Sequence, residues 1–135
     1  MSDYFLDNWK QYISLEDYNY LVTFTENIKN GLTNDKMIIL SGPGRSGKTT
    51  LKNNITSYLG DELCGKYIKP GSLLYEENIK KLIVLDEVPY RLNHCQAIIN
   101  LIKYKQSIIS YTNNIEKINK KLLEYSYIIY MNYIF

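Results

Sequence analysis

The chain has 135 residues, of which 45% are hydrophobic and 22% are charged, and its formal net charge is +2. This length allows one compact domain with a hydrophobic core of its own. A net charge this small gives no argument for nucleic-acid binding, and two cysteines that lie far apart exclude a disulfide framework and a Cys-x-x-Cys zinc site.

The N-terminal segment, residues 1–36, is predicted to form an arm and a helix that packs on the core. Ser14 followed by Asp17 is similar to a capping box and predicts a helix over residues 15–30, which Gly31 ends. The first residues lack the apolar core of a signal peptide, and no apolar run is long enough to span a membrane. We therefore expect a protein of the cytoplasm, the nucleus or a viral factory that is not secreted and has no membrane partner.

The next segment fits the P-loop pattern of two glycines followed by Lys and Thr. An apolar run over residues 37–40 enters it as a buried strand would, and residues 50–59 leave it with helical spacing. This context predicts a site for a nucleoside triphosphate, taken to be ATP. The predicted nucleotide-binding residues are Gly42, Pro43, Gly44, Arg45, Ser46, Gly47, Lys48, Thr49 and Thr50.

The chemistry of phosphate binding explains these residue types. Gly42, Gly44 and Gly47 are expected to adopt positive φ, so that successive N–H groups wrap a phosphate at the N-terminus of the following helix. Lys48 is expected to reach the β- and γ-phosphates and is therefore also a catalytic candidate. Thr49 offers its hydroxyl to Mg²⁺, which prefers oxygen ligands.

Beyond the P-loop, a weak strand at Tyr67-Ile68 precedes the turn dipeptide Pro70-Gly71, and residues 72–79 are predicted to form a short helix. Residues 82–86 form a nearly continuous apolar run, which is typical of a central parallel strand. These elements continue the alternation of strands and helices that began at the P-loop.

Two carboxylates close the apolar run, and strand ends of this kind meet at the ligand-binding edge of a parallel sheet. Asp86 is therefore predicted to bind Mg²⁺ through its water shell. Glu87 is predicted to act as the general base that deprotonates the attacking water.

In the remainder of the chain, Asn93 is predicted to cap a helix that runs to Tyr104, and residues 107–111 form the fourth strand. A helix over residues 115–124 and a last strand over residues 125–134 follow. The alternation predicts an α/β fold with a mostly parallel sheet of about five strands and helices on both faces. Right-handed crossovers bring all strand ends to one edge, and residues 37–135 form the predicted ATPase core.

The order of the P-loop, the LIVLDE segment at 82–87 and the YTNN segment at 111–114 resembles the ATPase core of superfamily 3 helicases and related AAA+ proteins. Residues 65–74 are similar to the segment between the Walker A and Walker B motifs of viral primase-helicases. The resemblance implies a three-layer P-loop NTPase fold of AAA+ or RecA-like type. It also implies ATP hydrolysis coupled to movement on DNA or RNA, usually by a homo-oligomeric ring.

In that family, an Asn at the end of the strand beside Walker B senses the γ-phosphate. The resemblance makes Asn113 the candidate for this sensor, with Thr112 and Asn114 as alternatives. The same segment is also a candidate for the N-cap of the following helix. The partners that follow are ATP, single-stranded or duplex nucleic acid, and further copies or a larger ATPase assembly.

The chain departs from the family pattern in its arginines, which are Arg45 and Arg91 alone. No arginine follows the sensor strand, where a neighbouring subunit's finger often originates. Arg91 is either a finger that acts in trans or a solvated loop residue. Two alternative functions therefore stay open. One is a non-catalytic nucleotide-binding assembly module. The other is a small-molecule kinase, but such kinases close an arginine-rich lid over the phosphates, and two arginines do not supply one.

Overall fold

The computed structural model describes residues 6–44, 46–67 and 81–131. These residues form one five-stranded sheet in which all the paired strands are parallel. The strands are β1 (Met37–Ser41), β2 (Cys64–Tyr67), β3 (Leu82–Leu85), β4 (Ser107–Thr112) and β5 (Ser126–Tyr130). The helices are α1 (Leu15–Lys29), α2 (Lys48–Leu59), α3 (Leu92–Lys103) and α4 (Lys120–Leu123), with 3-10 helices at Asp7–Gln11 and Ile115–Lys117.

The spatial order of the strands is β2-β3-β4-β1-β5, so β4 lies between the P-loop strand and the strand that ends in carboxylates. Ser41 is paired with Thr112 in the register of β1 and β4, and Val84 is paired with Ile109 in that of β3 and β4. Because the strands are parallel, the loops that follow β1, β3 and β4 leave the same edge of the sheet. The predicted α/β architecture is confirmed.

Alternation along the strands divides the core between two faces of the sheet. Ile38 and Leu40 of β1 belong to the hydrophobic cluster that contains α1 and α2, whereas Met37 and Ile39 belong to the cluster that contains α3 and α4. All five residues of β1 are buried. A strand covered on both faces is continuously apolar, which is why the sequence pattern of β1 predicted its place in the sheet.

Helix α1 is joined to the rest of the fold by tyrosine–carboxylate hydrogen bonds. Tyr127 of β5 donates to Asp17 at 2.8 Å, and Tyr58 of α2 donates to Glu26 at 2.8 Å. The rings of Tyr20 and Tyr127 also stack, with their centroids 3.7 Å apart. The Ser14 hydroxyl accepts from the N–H of Asp17, which confirms the predicted cap.

Two predicted helix boundaries are wrong. Arg91 is the N-cap of α3 and makes no side-chain cap bond, while the Asn93 oxygen accepts from the adjacent N–H of His94 inside the first turn. The helix predicted over residues 115–124 is interrupted, because Ile118 is extended and Asn119 caps a new helix. A short polar side chain that bonds to nearby N–H groups competes with a continuous helix.

Several predicted elements extend beyond the described residues. Strand β2 begins at Cys64, earlier than predicted, and Ile68, the Pro70-Gly71 turn and the helix at 72–79 lie outside the described ranges. Strand β5 ends at Tyr130, and residues 132–134 of the predicted strand also lie outside them. Among the described helices, none is long and apolar enough to cross a membrane.

Candidate functional site

The P-loop connects β1 to α2 at the edge where the parallel strands end. Gly47 is the N-cap of α2 and has φ 90°, a left-handed conformation that glycine adopts without a Cβ clash. Helix α2 then begins at Lys48, with its first N–H groups at the loop. Arg45, one of the predicted nucleotide-binding residues, lies outside the described residues.

The prediction of positive φ is wrong for Gly42 and Gly44, since neither glycine adopts it. The two glycines differ in what surrounds them. A Cβ on Gly42 would lie 2.2 Å from the backbone oxygen of Met131 and 2.9 Å from the Ser46 hydroxyl. Gly42 is therefore required by the close approach of the chain after β5. A Cβ on Gly44 would meet nothing within 4 Å, so this glycine faces open space.

Lys48 is buried with its ammonium turned onto the loop itself. Its Nζ donates to the carbonyl oxygens of Gly42 at 2.5 Å and Pro43 at 2.7 Å, and to the Ser46 hydroxyl at 3.2 Å. Burial lowers the pKa of Lys48 from its ordinary value. The fold thus holds a partly desolvated positive charge within the loop, where an anion would neutralise it.

A cavity of about 260 Å³, called the P-loop cavity below, joins the loop to the end of β4. One side of the cavity is the loop that follows β1 and the other is the end of β4, and these two strands are neighbours in the sheet. Its lining comprises Gly44, Ser46, Gly47, Lys48, Thr49, Thr50, Tyr111 and Asn113. The structure therefore brings six of the predicted nucleotide-binding residues and the predicted sensor Asn113 into one space.

The three polar residues at the end of β4 have distinct environments. Thr112 is buried, and its hydroxyl accepts from the N–H of Asn114 at 3.1 Å. The Asn114 side chain accepts from the N–H of Glu116 and caps the following 3-10 helix. Asn113 is exposed and lines the P-loop cavity, so it is the member of the three that can reach a bound ligand.

Asp86 and Glu87 follow β3 directly and are exposed. They do not contribute to the lining of the P-loop cavity. Burial raises the pKa of Tyr111, and the negative charges of Asp86 and Glu87 raise it further to a smaller extent. The N–H of Val88 donates to the carbonyl oxygen of Tyr111, which fixes the segment after the carboxylates to β4.

Two residues of this region were missed by the sequence analysis. Lys52 of α2 places its Nζ 3.9 Å from Asp86 Oδ1 and 5.6 Å from the centroid of the Tyr111 ring. Lys52 lies one helical turn after Lys48, so the i, i+4 spacing of two lysines behind a P-loop was the signal available in the sequence. Tyr111 stood within a quoted motif but received no role.

The residues at this edge suit a magnesium ion that arrives with a nucleotide. Within the described ranges there is no group of three or more His, Cys, Asp or Glu side chains able to hold a metal ion. Thr49 and Asp86 offer a hydroxyl and a carboxylate, both exposed, which are oxygen donors of the kind Mg²⁺ prefers. Mg²⁺ retains several waters and binds substrate phosphates, so a site for it needs few protein donors.

A larger, more open groove of about 870 Å³ lies between α3 and α4. Its lining includes Arg91, Leu92, Gln96 and Lys121. None of the predicted phosphate or metal residues contributes to it. Arg91 is therefore exposed at a surface groove of its own chain and does not line the P-loop cavity.

No family model and no curated protein matches this sequence. Solved structures do match: a RuvB variant of Thermotoga maritima has a TM-score of 0.61 and 20% identity over 90% of this chain and 46% of that chain. PCH-2 of C. elegans has a TM-score of 0.57 and 17% identity over 89% of this chain and 41% of that chain. The FIGL-1 AAA domain in complex with ADP has a TM-score of 0.56 and 13% identity over 92% of this chain and 55% of that chain.

These similarities show that the chain has the α/β P-loop fold of AAA+ ATPases. At these identities the likeness establishes the fold alone. The chain spans about half the length of the structures it matches, or less. The narrower resemblance to superfamily 3 helicases stays a prediction.

Proposed function

We propose that this chain binds ATP together with Mg²⁺ and hydrolyses it as a P-loop ATPase of the AAA+ type. The observation that carries the proposal is the P-loop cavity, where Lys48, the loop and Asn113 line one space. Asp86 and Glu87 directly follow β3 at the same sheet edge, and Lys52 of α2 places its Nζ 3.9 Å from Asp86 Oδ1 and 5.6 Å from the ring centroid of Tyr111, which lines the cavity. A phosphate chain that leaves the cavity towards β3 would meet the two carboxylates.

Binding would begin with the loop and α2. Phosphate oxygens fit the N-terminus of this helix, because its first N–H groups have no partner within the helix and the helix dipole favours an anion there. The Lys48 ammonium would exchange the carbonyl oxygens of Gly42 and Pro43 for phosphate oxygens, which are charged and therefore stronger acceptors.

Hydrolysis would depend on the strand ends. Glu87 is proposed to accept a proton from the attacking water, and Asn113 to orient that water and contact the γ-phosphate. Mg²⁺, bound by Thr49 and, through water, by Asp86, would supply positive charge to the β- and γ-phosphate oxygens.

We further propose that the ATPase works in an oligomeric assembly, a ring of copies or a larger complex, and acts on single-stranded or duplex nucleic acid during replication or remodelling. One structural neighbour, RuvB, is described as a Holliday junction branch migration motor. The superfamily 3 resemblance supports the same role. The nucleic-acid partner depends on these two likenesses and on no contact within the chain.

A second candidate, a nucleotide-binding assembly module without turnover, is favoured by one observation. Glu87 and Asp86 are exposed and lie outside the lining of the P-loop cavity, whereas an efficient general base must come within hydrogen-bond reach of the attacking water. In that case the cavity would bind ATP, and partner subunits would supply the missing groups.

Phosphate release from ATP, measured against protein concentration with and without single-stranded DNA, separates the two candidates. Lys48→Ala serves as the blank, and Lys105→Ala, which removes a lysine from an exposed ion pair with Asp35, is the matched control. Turnover per subunit that rises with protein concentration and with DNA supports an assembling ATPase. Turnover that stays at the level of Lys48→Ala, with ATP still bound, supports the module and contradicts the ATPase.

A further inference from the structure

Lys52 connects the three elements that border the nucleotide site. It projects from α2 one turn after Lys48, and its side chain is 15% exposed. Its Nζ lies 3.9 Å from Asp86 Oδ1, at the end of β3, and 5.6 Å from the ring centroid of Tyr111, in β4. A positive charge is thereby placed between the P-loop helix and the carboxylates.

The ion pair between Lys52 and Asp86 does little to stabilise the fold. Asp86 is 54% exposed and the distance is long, and an ion pair of that kind contributes about 0–1 kcal/mol to folding. The exposed pair of Lys105 and Asp35 is shorter, at 3.0 Å, and lies at no predicted site. Because the ion pair of Lys52 with Asp86 contributes little to fold stability, the position of the Lys52 charge close to Asp86 and to the ring of Tyr111 calls for another explanation.

The charges at the nucleotide site explain the position of Lys52. A nucleoside triphosphate is highly anionic, and it must approach two carboxylates, Asp86 and Glu87, that repel it. A divalent cation removes this repulsion when it is present. An ammonium 3.9 Å from Asp86 does so partially at all times, because opposite charges at that separation largely cancel beyond a few ångströms.

We propose that Lys52 is a built-in counter-cation that positions and neutralises Asp86 and thereby supports nucleotide binding when magnesium is scarce. The inference depends on the proposed function, since it concerns the same nucleotide site. Lys52 acts through Asp86 and is a positioning residue. With magnesium bound, the metal assumes the neutralising role and Lys52 becomes largely redundant.

The test is equilibrium binding of a fluorescent ATP analogue, measured once in EDTA and once in excess Mg²⁺. Lys52→Met keeps the length of the side chain and removes its charge. We expect its Kd to rise about 5- to 10-fold in EDTA and less than about 2-fold in Mg²⁺, as a charge several ångströms away in partly screened surroundings predicts. Lys52→Arg keeps the charge and should restore the wild-type ratio of the two Kd values.

Lys105→Met is the matched control, because it removes a lysine from a Lys–Asp pair away from the site and should leave both Kd values unchanged. Thermal melting checks that each variant is folded, and Lys52→Gln replaces Lys52→Met if the latter is not.

The outcomes separate the two claims. If the wild type binds no nucleotide in either condition, the proposed function fails and the inference fails with it. If the wild type binds but loss of the Lys52 charge changes both Kd values equally, or neither, the inference is overturned while the proposed function stands.

Discussion

Residues 42–50, here called the phosphate limb, contain a buried lysine, whereas Asp86 and Glu87, here called the carboxylate limb, are both exposed. Lys48 is 6% exposed and donates to three acceptors at 2.5–3.2 Å. In the carboxylate limb, Asp86 is 54% exposed and has Lys52 at 3.9 Å. Lys48 of the phosphate limb is thus buried and fixed by the loop before any ligand arrives, whereas the carboxylate limb is exposed to solvent.

The difference suggests that binding and hydrolysis are separable properties of this chain. A preorganised limb loses little conformational entropy when it binds a phosphate, so it should provide most of the affinity. An exposed carboxylate that lies outside the lining of the P-loop cavity contributes to turnover only when the site is completed around it. Substitutions in the two limbs should therefore change different measurements.

The largest effect is expected from Glu87→Gln in the carboxylate limb. Loss of the general base should lower the rate of phosphate release at least about 100-fold while the Kd for ATP changes less than about 3-fold. Phosphate release and nucleotide titration on the same sample measure both quantities, with Glu124→Gln as an exposed glutamate control. Wild-type turnover in Glu87→Gln would show that Glu87 is not the base.

The glycines of the phosphate limb provide a matched pair. Gly42→Ala should lower the free energy of unfolding by about 1–3 kcal/mol, because its Cβ would collide with the backbone oxygen of Met131. Gly44→Ala should leave unfolding unchanged and weaken ATP binding instead, because its Cβ enters the P-loop cavity. Denaturant unfolding and ATP titration distinguish them. Equal stability losses in both variants would contradict the different roles assigned to the two glycines.

Asn113→Ala and Asn114→Ala compare adjacent residues with the same side chain. Asn113→Ala should lower turnover about tenfold, the effect of losing one hydrogen bond to a charged group, with little change in melting temperature. Asn114→Ala should instead lower stability by about 0.5–1 kcal/mol, since Asn114 caps the 3-10 helix. If Asn114→Ala were the variant that loses turnover, the sensor assignment would pass to that residue.

The smallest effect is expected from Tyr127→Phe, which lies in neither limb. Loss of its hydrogen bond to Asp17 should cost about 1 kcal/mol of stability and leave ATP affinity unchanged. Burial, this bond and nearby acidic charges raise the pKa of Tyr127 above its ordinary 10.0. The stabilisation is therefore complete below pH 10 and falls as the pH rises towards the raised pKa.

Melting temperatures of the wild type and Tyr127→Phe between pH 8 and pH 11 check this expectation. The difference between them should be constant up to about pH 10 and shrink above it. A difference that grows above pH 10 would show that the phenol is not held in its neutral form by the fold.

Local patterns in the sequence predicted most of the sheet and the strand and helix that flank the P-loop. The apolar runs of β1 and β3 are continuous because both faces of these strands are covered, and Ser14 and Gly31 mark the ends of α1 through short-range bonds. The P-loop pattern is equally local, since its glycines, lysine and threonine act within eight residues. Such features need no knowledge of the tertiary structure.

Two of the features that the sequence could not predict depend on residues that are distant along the chain, and a third, the interruption of the helix predicted over 115–124, depends on a local side chain. Gly42 is constrained by Met131 and Lys52 by Asp86, contacts that exist only once the sheet has formed. The interruption near Ile118 follows from competition by the Asn119 side chain. Helical spacing alone does not reveal such a cap in the middle of an apolar pattern.

The most direct test of the account is a calorimetric titration of Mg·ATP into the wild type and Lys48→Ala. The account predicts saturable binding by the wild type and at least about 100-fold weaker binding by Lys48→Ala, because charge-assisted hydrogen bonds from a buried ammonium are lost. Equal affinity in both proteins, with both folded, would contradict the claim that residues 42–50 form the phosphate-binding half of an ATP site.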